Sequence, residues 1–276
     1  MENTPLRRWK IPTAFNNTFQ VKRTQILMFL KRGYVVDDFE LQLLWDGPEY
    51  TDYINTKEFI ESNNQPLDDP LLLETKEAFF EAVDNIEYDD IIRLTDKFER
   101  YIEANRNGRT VRATLAKNYY LKKNQVDAVK VIFLEYKEKG IIRHEDIDFV
   151  LADTATSSIP GMNIKKLIMF SPQPLANNSM ELLGGIRSVK IEVVTETNMR
   201  FDPTAHKLQF HFEVMTRKEK KKFMELGYLP EQLPRVPRND PVVKFLDIAA
   251  GEVVKTIRVN HLNQISETSF YARIRQ

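Results

Sequence analysis

Two stretches of the chain carry apolar residues at helical spacing. Ile26 and Phe29 lie three residues apart on one face, and Gly33 follows as a residue that readily ends a helix. The spacing therefore predicts a helix over residues 20–32. The same periodicity, with many acidic residues between the apolar ones, predicts helical structure over residues 71–104.

Turn residues predict loops, and short apolar or alternating runs predict strands. Residues 46–70 are rich in Asp, Asn, Gly and Pro, and they predict a loop-rich insertion. The run 129–134 is apolar enough for a buried strand or a short helix, and residues 167–170 predict a strand. Alternating apolar positions predict another strand with one buried face, at Val189, Ile191 and Val193. Strand, turn, helix and strand in succession indicate an α/β layer.

The last part of the chain has the clearest start signals. Thr216 and Glu219 have the spacing of a capping box, and Asp240-Pro241 pairs an N-cap with proline at the first helical position. The first of these helices is predicted to bury three residues, Phe223, Met224 and Leu226. Alternating residues before Thr216, together with residues 253–259 and 270–274, predict strands, so this part should be a compact mixed α/β unit.

Composition excludes several classes of protein. The chain has 276 residues, no cysteine and a hydrophobic fraction of 42%, which suits a packed core and excludes disulfides and cysteine-ligated metals. No apolar run approaches the length of a membrane span, and the N-terminus has no apolar signal sequence. The four histidines are scattered, and phosphate-loop, dinucleotide-binding, serine-hydrolase and zinc-protease motifs are missing. We therefore expect no metal and no cofactor.

Charge is segregated although the formal net charge is zero. Residues 37–103 hold twenty acidic and five basic residues, whereas residues 1–36 hold seven basic residues and one acid. Residues 217–276 hold twelve basic and seven acidic residues, with the densest group at Arg217, Lys218, Lys220, Lys221 and Lys222. Such blocks either neutralise one another in the fold or face different partners. The dense basic group is a solvated helix face or a contact with an acidic partner or nucleic acid.

An ordered set of motifs in the last part resembles a known family. Leu233-Pro234-Arg235-Val236 is followed by Asp240-Pro241-Val242 and then by Gly251-Glu252-Val253-Val254-Lys255 with Ile257-Arg258. Their order and spacing resemble the assembly domain of the fifth subunit shared by eukaryotic nuclear RNA polymerases, a domain that archaeal RNA polymerases also contain. Departures include Asp247, where glycine is usual in the family, and an insertion around residues 259–265.

The N-terminal part resembles the jaw domain that the eukaryotic subunit adds. Phe19, Thr24 and the run Arg32-Gly33-Tyr34-Val35-Val36 look like its opening helix and exit. The resemblance implies an α+β or α/β chain, with a three-layer-like jaw domain of nuclease-like topology over 1–198 and a small mixed α/β assembly domain over 199–276. The stretch around 46–108 departs from the family as a longer, acidic insertion in the jaw. Divergence in a core-machinery subunit favours a large DNA virus as source. We expect the nucleus if the source is cellular, and the virion or a cytoplasmic virus factory if it is viral.

The resemblance implies a non-catalytic subunit of a multisubunit DNA-directed RNA polymerase. The assembly domain would dock on the largest subunit beside other polymerase subunits, and the jaw would lie beside the downstream double-stranded DNA, with no membrane involved. A jaw of this kind would hold the DNA backbone, so binding should be salt-dependent and independent of base sequence.

Candidate contacts fall into two groups. DNA contacts are predicted for Arg7, Arg8, Lys22, Arg23 and Pro174. Pro174 lies in a loop that resembles the DNA-facing loop of the family, and it is equally explained as an ordinary turn proline. Partner contacts are predicted for Leu233, Pro234, Arg235, Asp240, Pro241, Val253, Val254, Lys255 and Arg258. An internal salt bridge is the alternative for Arg235, and an internal strand instead of an exposed edge is the alternative for residues 253–258.

Two other functions are open. Restriction-type nucleases resemble the jaw in fold and hold Mg²⁺ through an upstream Asp and a Glu-x-Lys, which Asp127, Glu135 and Lys137 could supply. Strand alternation would place Glu135 and Lys137 on one face, although Glu-x-Lys is common by chance. A free-standing transcription adaptor that carries the assembly domain is the other alternative.

Overall fold

A computed structural model gives the architecture of the chain. It describes residues 13–63, 69–115, 117–121, 124–135, 163–186, 189–205, 211–258 and 268–275. The chain divides into two compact units, Met1–Phe201 and Asp202–Gln276. Both units combine helices with a sheet, so the prediction of an α+β chain is confirmed. Within the described residues, no helix has the length and apolar character needed to cross a membrane.

Within residues 13–63 and 69–115, the first unit forms six helices. They are α1 (Thr13–Lys31), α2 (Asp38–Leu44), α3 (Pro48–Ser62), α4 (Pro70–Asp84), α5 (Tyr88–Asn105) and the single turn α6 (Val111–Thr114). The predicted helix over 20–32 is confirmed, and it begins earlier than its apolar pattern indicated. Gly33 follows it at φ +81°, and the amide of Tyr34 donates to the carbonyl of Phe29 at 2.9 Å. Phe29 and Tyr34 also meet edge to face at 4.9 Å, which completes a Schellman end.

The prediction of a loop-rich insertion over residues 46–70 is wrong. Helix α3 occupies most of it, and Tyr50, Ile54 and Ile60 are buried. Pro48 stands in the first turn after Gly47, where a missing amide hydrogen costs nothing. The residues that indicated turns are the flanking signals of helices.

A four-stranded sheet follows in the first unit. Its strands are β1 (Lys117–Leu121), β2 (Asn124–Phe133), β3 (Asn163–Ser171) and β4 (Lys190–Thr195), in spatial order β1-β2-β3-β4. Strands β2, β3 and β4 are parallel, and β1 is antiparallel to β2. The apolar run at 129–134 therefore lies mainly on a strand. Of the two structures predicted for it, a buried strand and a short helix, the strand is correct. Helix α7 (Asn177–Gly185) links β3 to β4.

Helices cover both faces of this sheet. Leu183 on α7 packs on one face with a buried cluster that includes Ile132, Leu167 and Met169. On the other face the ring of Phe29 on α1 stacks on Tyr119 of β1, with ring centroids 4.5 Å apart. Burial of both faces accounts for the apolar character of the parallel strands.

The second unit is a smaller sheet with two helices. Its elements are β5 (His211–Val214), α8 (Arg217–Glu225), β6 (Arg235–Val236), α9 (Pro241–Phe245), β7 (Val253–Arg258) and β8 (Thr268–Ile274). The strand order is β5-β7-β8-β6, with β6 parallel to β8 and the other pairs antiparallel. Val243, Ile248, Val254, Ala272 and Ile274 form its core. The two predicted start signals are confirmed, because Thr216 caps α8 and Asp240 caps α9.

Candidate interaction surfaces

Helix α8 begins with a complete capping box. The amide of Glu219 donates to the hydroxyl of Thr216 at 3.3 Å, and the amide of Thr216 donates back to the Glu219 carboxylate at 2.7 Å. Hydrogen bonds from the Thr216 side chain and backbone lower the pKa of Glu219 below its ordinary value. The cap therefore fixes the start of a nine-residue helix, which is too short to be stable by itself.

Large apolar side chains lie exposed at the end of α8. Phe223 is buried, as predicted, and its ring contacts those of Tyr228 and Tyr271 at 4.8 and 4.7 Å. The prediction that Met224 and Leu226 are buried is wrong, because 52% and 75% of these side chains are exposed. The exposed group, which we call the α8 apolar patch, comprises Met224, Leu226, Tyr228 and Leu229. Four large apolar residues within six positions form an unusual surface for a small unit.

Cations lie along the same helix. Arg217, Lys218, Lys221 and Lys222 are exposed, whereas the Lys220 ammonium pairs with the Glu252 carboxylate. Lys221 also lies 3.9 Å from Glu225, one turn along α8. Basic groups on a short helix, with apolar groups in its last turn and directly after it, suit a protein surface with acidic and apolar groups.

The motif around Pro234 is anchored through its backbone. The carbonyl of Pro234 accepts the amide of Arg273 at 2.8 Å, which joins β6 to β8. Arg235 is exposed on this edge strand, and it has no ion-pair partner among the described residues. Its guanidinium is thus available to a partner, whereas Leu233 is half-buried.

Asp240 and Pro241 have a structural role in α9. The Asp240 carboxylate accepts the amides of Val242 and Val243 at 2.8 and 3.2 Å. Pro241 is exposed in the first turn. The carboxylate is thus occupied by the cap, and Pro241 is the member of the pair that a partner could reach.

The predicted contact through Val253 and Val254 needs correction. Only 3% of Val253 and 0% of Val254 are exposed, and Val254 belongs to the core. Strand β7 lies between β5 and β8, so it offers no free edge, and the internal-strand alternative is correct. Lys255 is half-buried, 3.8 Å from Glu213, and the side chain of Arg258 lies outside the described residues.

The predicted phosphate contact of Lys22 is wrong. Its ammonium is buried and lies 2.5 Å from the Glu40 carboxylate and 2.9 Å from both the Gln25 side-chain oxygen and the Tyr119 hydroxyl. Three hydrogen bonds exhaust the three donors of a lysine ammonium. Tyr119 also donates to Glu40, so α1, α2 and β1 meet at one buried polar network. Sequence motifs gave no sign of this network.

The other residues predicted to contact DNA are Arg23, Pro174, Arg7 and Arg8. The Arg23 guanidinium donates to the carbonyl of Leu44 at 3.0 Å, and burial lowers its pKa to about 10, against the opposing pull of Asp84. That geometry opposes a contact with DNA. Pro174 is exposed in the turn after β3, whereas Arg7 and Arg8 lie outside the described residues.

The nuclease residues do not assemble in the part of the chain that the structure describes. Strand β2 ends at Phe133, so Glu135 is not on the strand, and its exposed carboxylate accepts the hydroxyl of Thr110. Asp127 lies earlier on β2, and Lys137 lies outside the described residues. Among the described residues, carboxylate and imidazole groups form no cluster of three that could hold a metal ion.

Comparison with known proteins gives the family. The model of the RNA polymerase Rpb5 C-terminal domain matches residues 201–271, nearly the whole of the second unit. DNA-directed RNA polymerase subunit Rpo5 of Sulfurisphaera tokodaii is 33% identical over 70 residues, which are 25% of this chain and 83% of that subunit. The chain belongs to the Rpb5 family of RNA polymerase subunits. The predicted resemblance is thereby confirmed.

Eukaryotic members match a longer stretch at lower identity. Subunit 5B of DNA-directed RNA polymerases IV and V from Arabidopsis thaliana is 25% identical over 147 residues, 53% of this chain and 64% of that subunit. Subunit rpabc1 of polymerases I, II and III from Dictyostelium discoideum is 25% identical over 142 residues, 51% of this chain and 70% of that subunit. Rpb5 is an accessory subunit, so the prediction of a non-catalytic subunit is confirmed at the level of the family, and the nuclease alternative has no support.

Proposed function

We propose that this chain is the Rpb5-type subunit of a DNA-directed RNA polymerase and that it docks on the largest subunit through its second unit. The α8 apolar patch carries this proposal. A unit of about 75 residues has a small core and gains stability when a partner covers its apolar surface. The patch and the cations of α8 lie within the region that matches the family model.

Several predicted contacts keep their place in this proposal. Pro234, Arg235 and Pro241 are exposed beside the second unit's helices and edge strand, where a large partner could reach them. Val253 and Val254 are buried, so they stabilise the second unit and do not contact the partner.

The first unit would act as the jaw beside the downstream duplex. A jaw that holds phosphates without reading bases should bind DNA less tightly as salt rises, and Arg7 and Arg8, outside the described residues, stay predicted contacts. Lys22 and Arg23 are not part of this contact, since both are directed to the interior. The protein would be located in the nucleus if its source is cellular, and in the virion or a cytoplasmic virus factory if its source is viral.

Co-purification tests the docking surface. We expect the tagged full chain to recover the two large polymerase subunits at equal amounts from cells that contain the polymerase. Replacing Leu226→Ser and Leu229→Ser should lower that recovery at least about tenfold, because the partner would lose two apolar contacts worth well over ~1 kcal/mol together.

The matched control changes exposed apolar residues elsewhere. Met180 and Leu182 on α7 are 49% and 39% exposed, and serine at both should leave recovery unchanged. Equal recovery by the two double variants would place the docking surface elsewhere. Recovery of other proteins without polymerase would support the free-standing adaptor instead.

A further inference from the structure

Helices α3 and α4 form a hairpin with an apolar seam of its own. The ring of Phe79 stacks on Tyr53 at 5.6 Å and lies 6.3 Å from Tyr50. Ile60 and Leu72 are also buried. We call this pair the acidic hairpin.

Three large apolar side chains lie exposed at the tip of the acidic hairpin. Phe59, in the last turn of α3, is 59% exposed, and Leu71 and Leu73, in the first turn of α4, are 52% and 44% exposed. Leu71 and Leu73 flank the buried Leu72, so they project on either side of the seam. Exposed apolar residues of this size, grouped at one end of a hairpin, mark a binding surface.

The net charge of the acidic hairpin is strongly negative. The two helices hold eight carboxylates and two lysines, a net charge of −6. Glu74 follows Leu71 by three positions and Glu77 follows Leu73 by four, so each leucine shares a helix face with a carboxylate. Burial, and then Glu61 and Asp38, raise the pKa of Tyr53, as expected in a negative field.

We propose that the acidic hairpin binds a cationic amphipathic helix of a partner protein, with Phe59, Leu71 and Leu73 in contact with its apolar face. Carboxylates beside the tip complement Lys and Arg flanking that face, which speeds encounter and fixes orientation. The same field repels phosphate, so nucleic acid is the wrong occupant. This surface is distinct from the α8 apolar patch, and it stands whether or not the second unit docks on a polymerase.

A defined peptide tests the proposal on the full chain. The probe is a fluorescent amphipathic helix of about 18 residues made of Lys and Leu, with a Glu/Leu peptide of the same pattern and a short DNA duplex as counter-probes. At physiological ionic strength, fluorescence anisotropy should show saturable binding of the Lys/Leu peptide and no binding of the Glu/Leu peptide or the duplex. Affinity should fall at least about tenfold in each of two variants. The apolar-tip variant carries Phe59→Ser, Leu71→Ser and Leu73→Ser, and the charge variant carries Glu58→Gln, Glu61→Gln, Glu74→Gln and Glu77→Gln.

Two control variants separate the surface from general effects. Serine at Met180 and Leu182 removes exposed apolar character from α7, and a second control neutralises four exposed carboxylates of the α5 region, namely Glu87, Asp89, Asp96 and Glu103. Both should bind within about twofold of the unchanged chain. Circular dichroism melts of each variant test whether it folds.

Three results would overturn the proposal. If peptide affinity fell equally in the charge variant and in the α5 carboxylate control, and did not fall in the apolar-tip variant, the binding would be general electrostatic attraction. Binding of the duplex through the tip would make nucleic acid the occupant. Sedimentation that shows self-association, abolished by the apolar-tip variant, would make a second copy of this chain the occupant.

Discussion

Asp247 shows how one backbone angle constrains one residue. It follows the last turn of α9 at φ +51°, in the left-handed region that glycine adopts most readily. The amide of Asp247 donates to Lys244 at 3.1 Å, and the amide of Ile248 donates to Val243 at 3.0 Å, which together form a Schellman end. Glycine, the usual residue of the family at this position, is therefore what the geometry favours.

A matched pair of substitutions at this position tests that constraint. Asp247→Gly and Asp247→Ala both remove the carboxylate, but only alanine carries a Cβ into the left-handed conformation, so the glycine variant should be more stable by about 1 kcal/mol. At Lys222, in the interior of α8, the order should reverse, with alanine about 1 kcal/mol more stable than glycine. Native-state hydrogen exchange of the β7 and β8 amides measures both differences. The same order at both positions would contradict the role of the backbone angle.

Lys22 shows what residue patterns can reveal when they are interpreted by position. Its charge predicts a DNA contact, yet it follows Phe19 by three residues and precedes Ile26 by four, on the apolar stripe of α1. Helical periodicity therefore places it on the buried face. Its partners Glu40 and Tyr119 come from distant parts of the chain, and periodicity cannot identify them.

At the scale of elements, one helix-start signal occurs twice, and its surroundings obscure it in one of the two places. Asp240-Pro241 predicts α9, whereas Asp69-Pro70, with the same N-cap and first-turn proline, falls in the stretch whose turn residues predict a loop. The Asp69 carboxylate accepts the amide of Leu71 at 2.9 Å, as an N-cap should. Clusters of turn residues mark helix ends as well as loops, and only the apolar spacing that follows separates the two.

A buried ion pair connects α1 to the sheet. The Arg32 guanidinium donates to both carboxylate oxygens of Glu192 on β4, at 2.8 and 3.0 Å, and the Lys166 ammonium on β3 lies 2.5 Å from Glu192. Burial would raise the pKa of Glu192, but its bonds to Arg32 and Lys166 outweigh burial and lower that pKa below 4.5. The carboxylate therefore stabilises the fold while it is ionised.

Glu192→Gln should expose this contribution through its pH dependence. The free energy of unfolding of the first unit should fall by about 3 kcal/mol at neutral pH, because two buried cations lose their anion. The contribution is complete above the unfolded pKa of about 4.5 and is lost as pH falls through the lower folded value, so the variant should lose less stability than the unchanged chain below ~pH 4.5.

Urea unfolding at neutral and acidic pH measures the Glu192 effect. Glu181→Gln, at an exposed carboxylate of α7, is the control and should change neither the free energy of unfolding nor its pH dependence. Parallel losses in acid for Glu192→Gln and the unchanged chain would show that another group carries the effect.

At the scale of the whole molecule, the order of the motifs predicted the family, and the family resemblance predicted an α+β or α/β chain. The second unit was the most predictable part, since its caps and alternating strands are local signals. Its exposed surface was less predictable, because Met224 and Leu226 have the spacing of core residues and the structure leaves them outside. Helical spacing alone does not distinguish an apolar residue on an exposed surface from one in the core.

The stoichiometry of the native complex tests the central claim most directly. When the tagged full chain is purified under conditions that keep assemblies intact, quantitative mass spectrometry should find one copy of it for each copy of the two largest RNA polymerase subunits. Recovery of the chain in assemblies that lack those two subunits would contradict its assignment as a polymerase subunit.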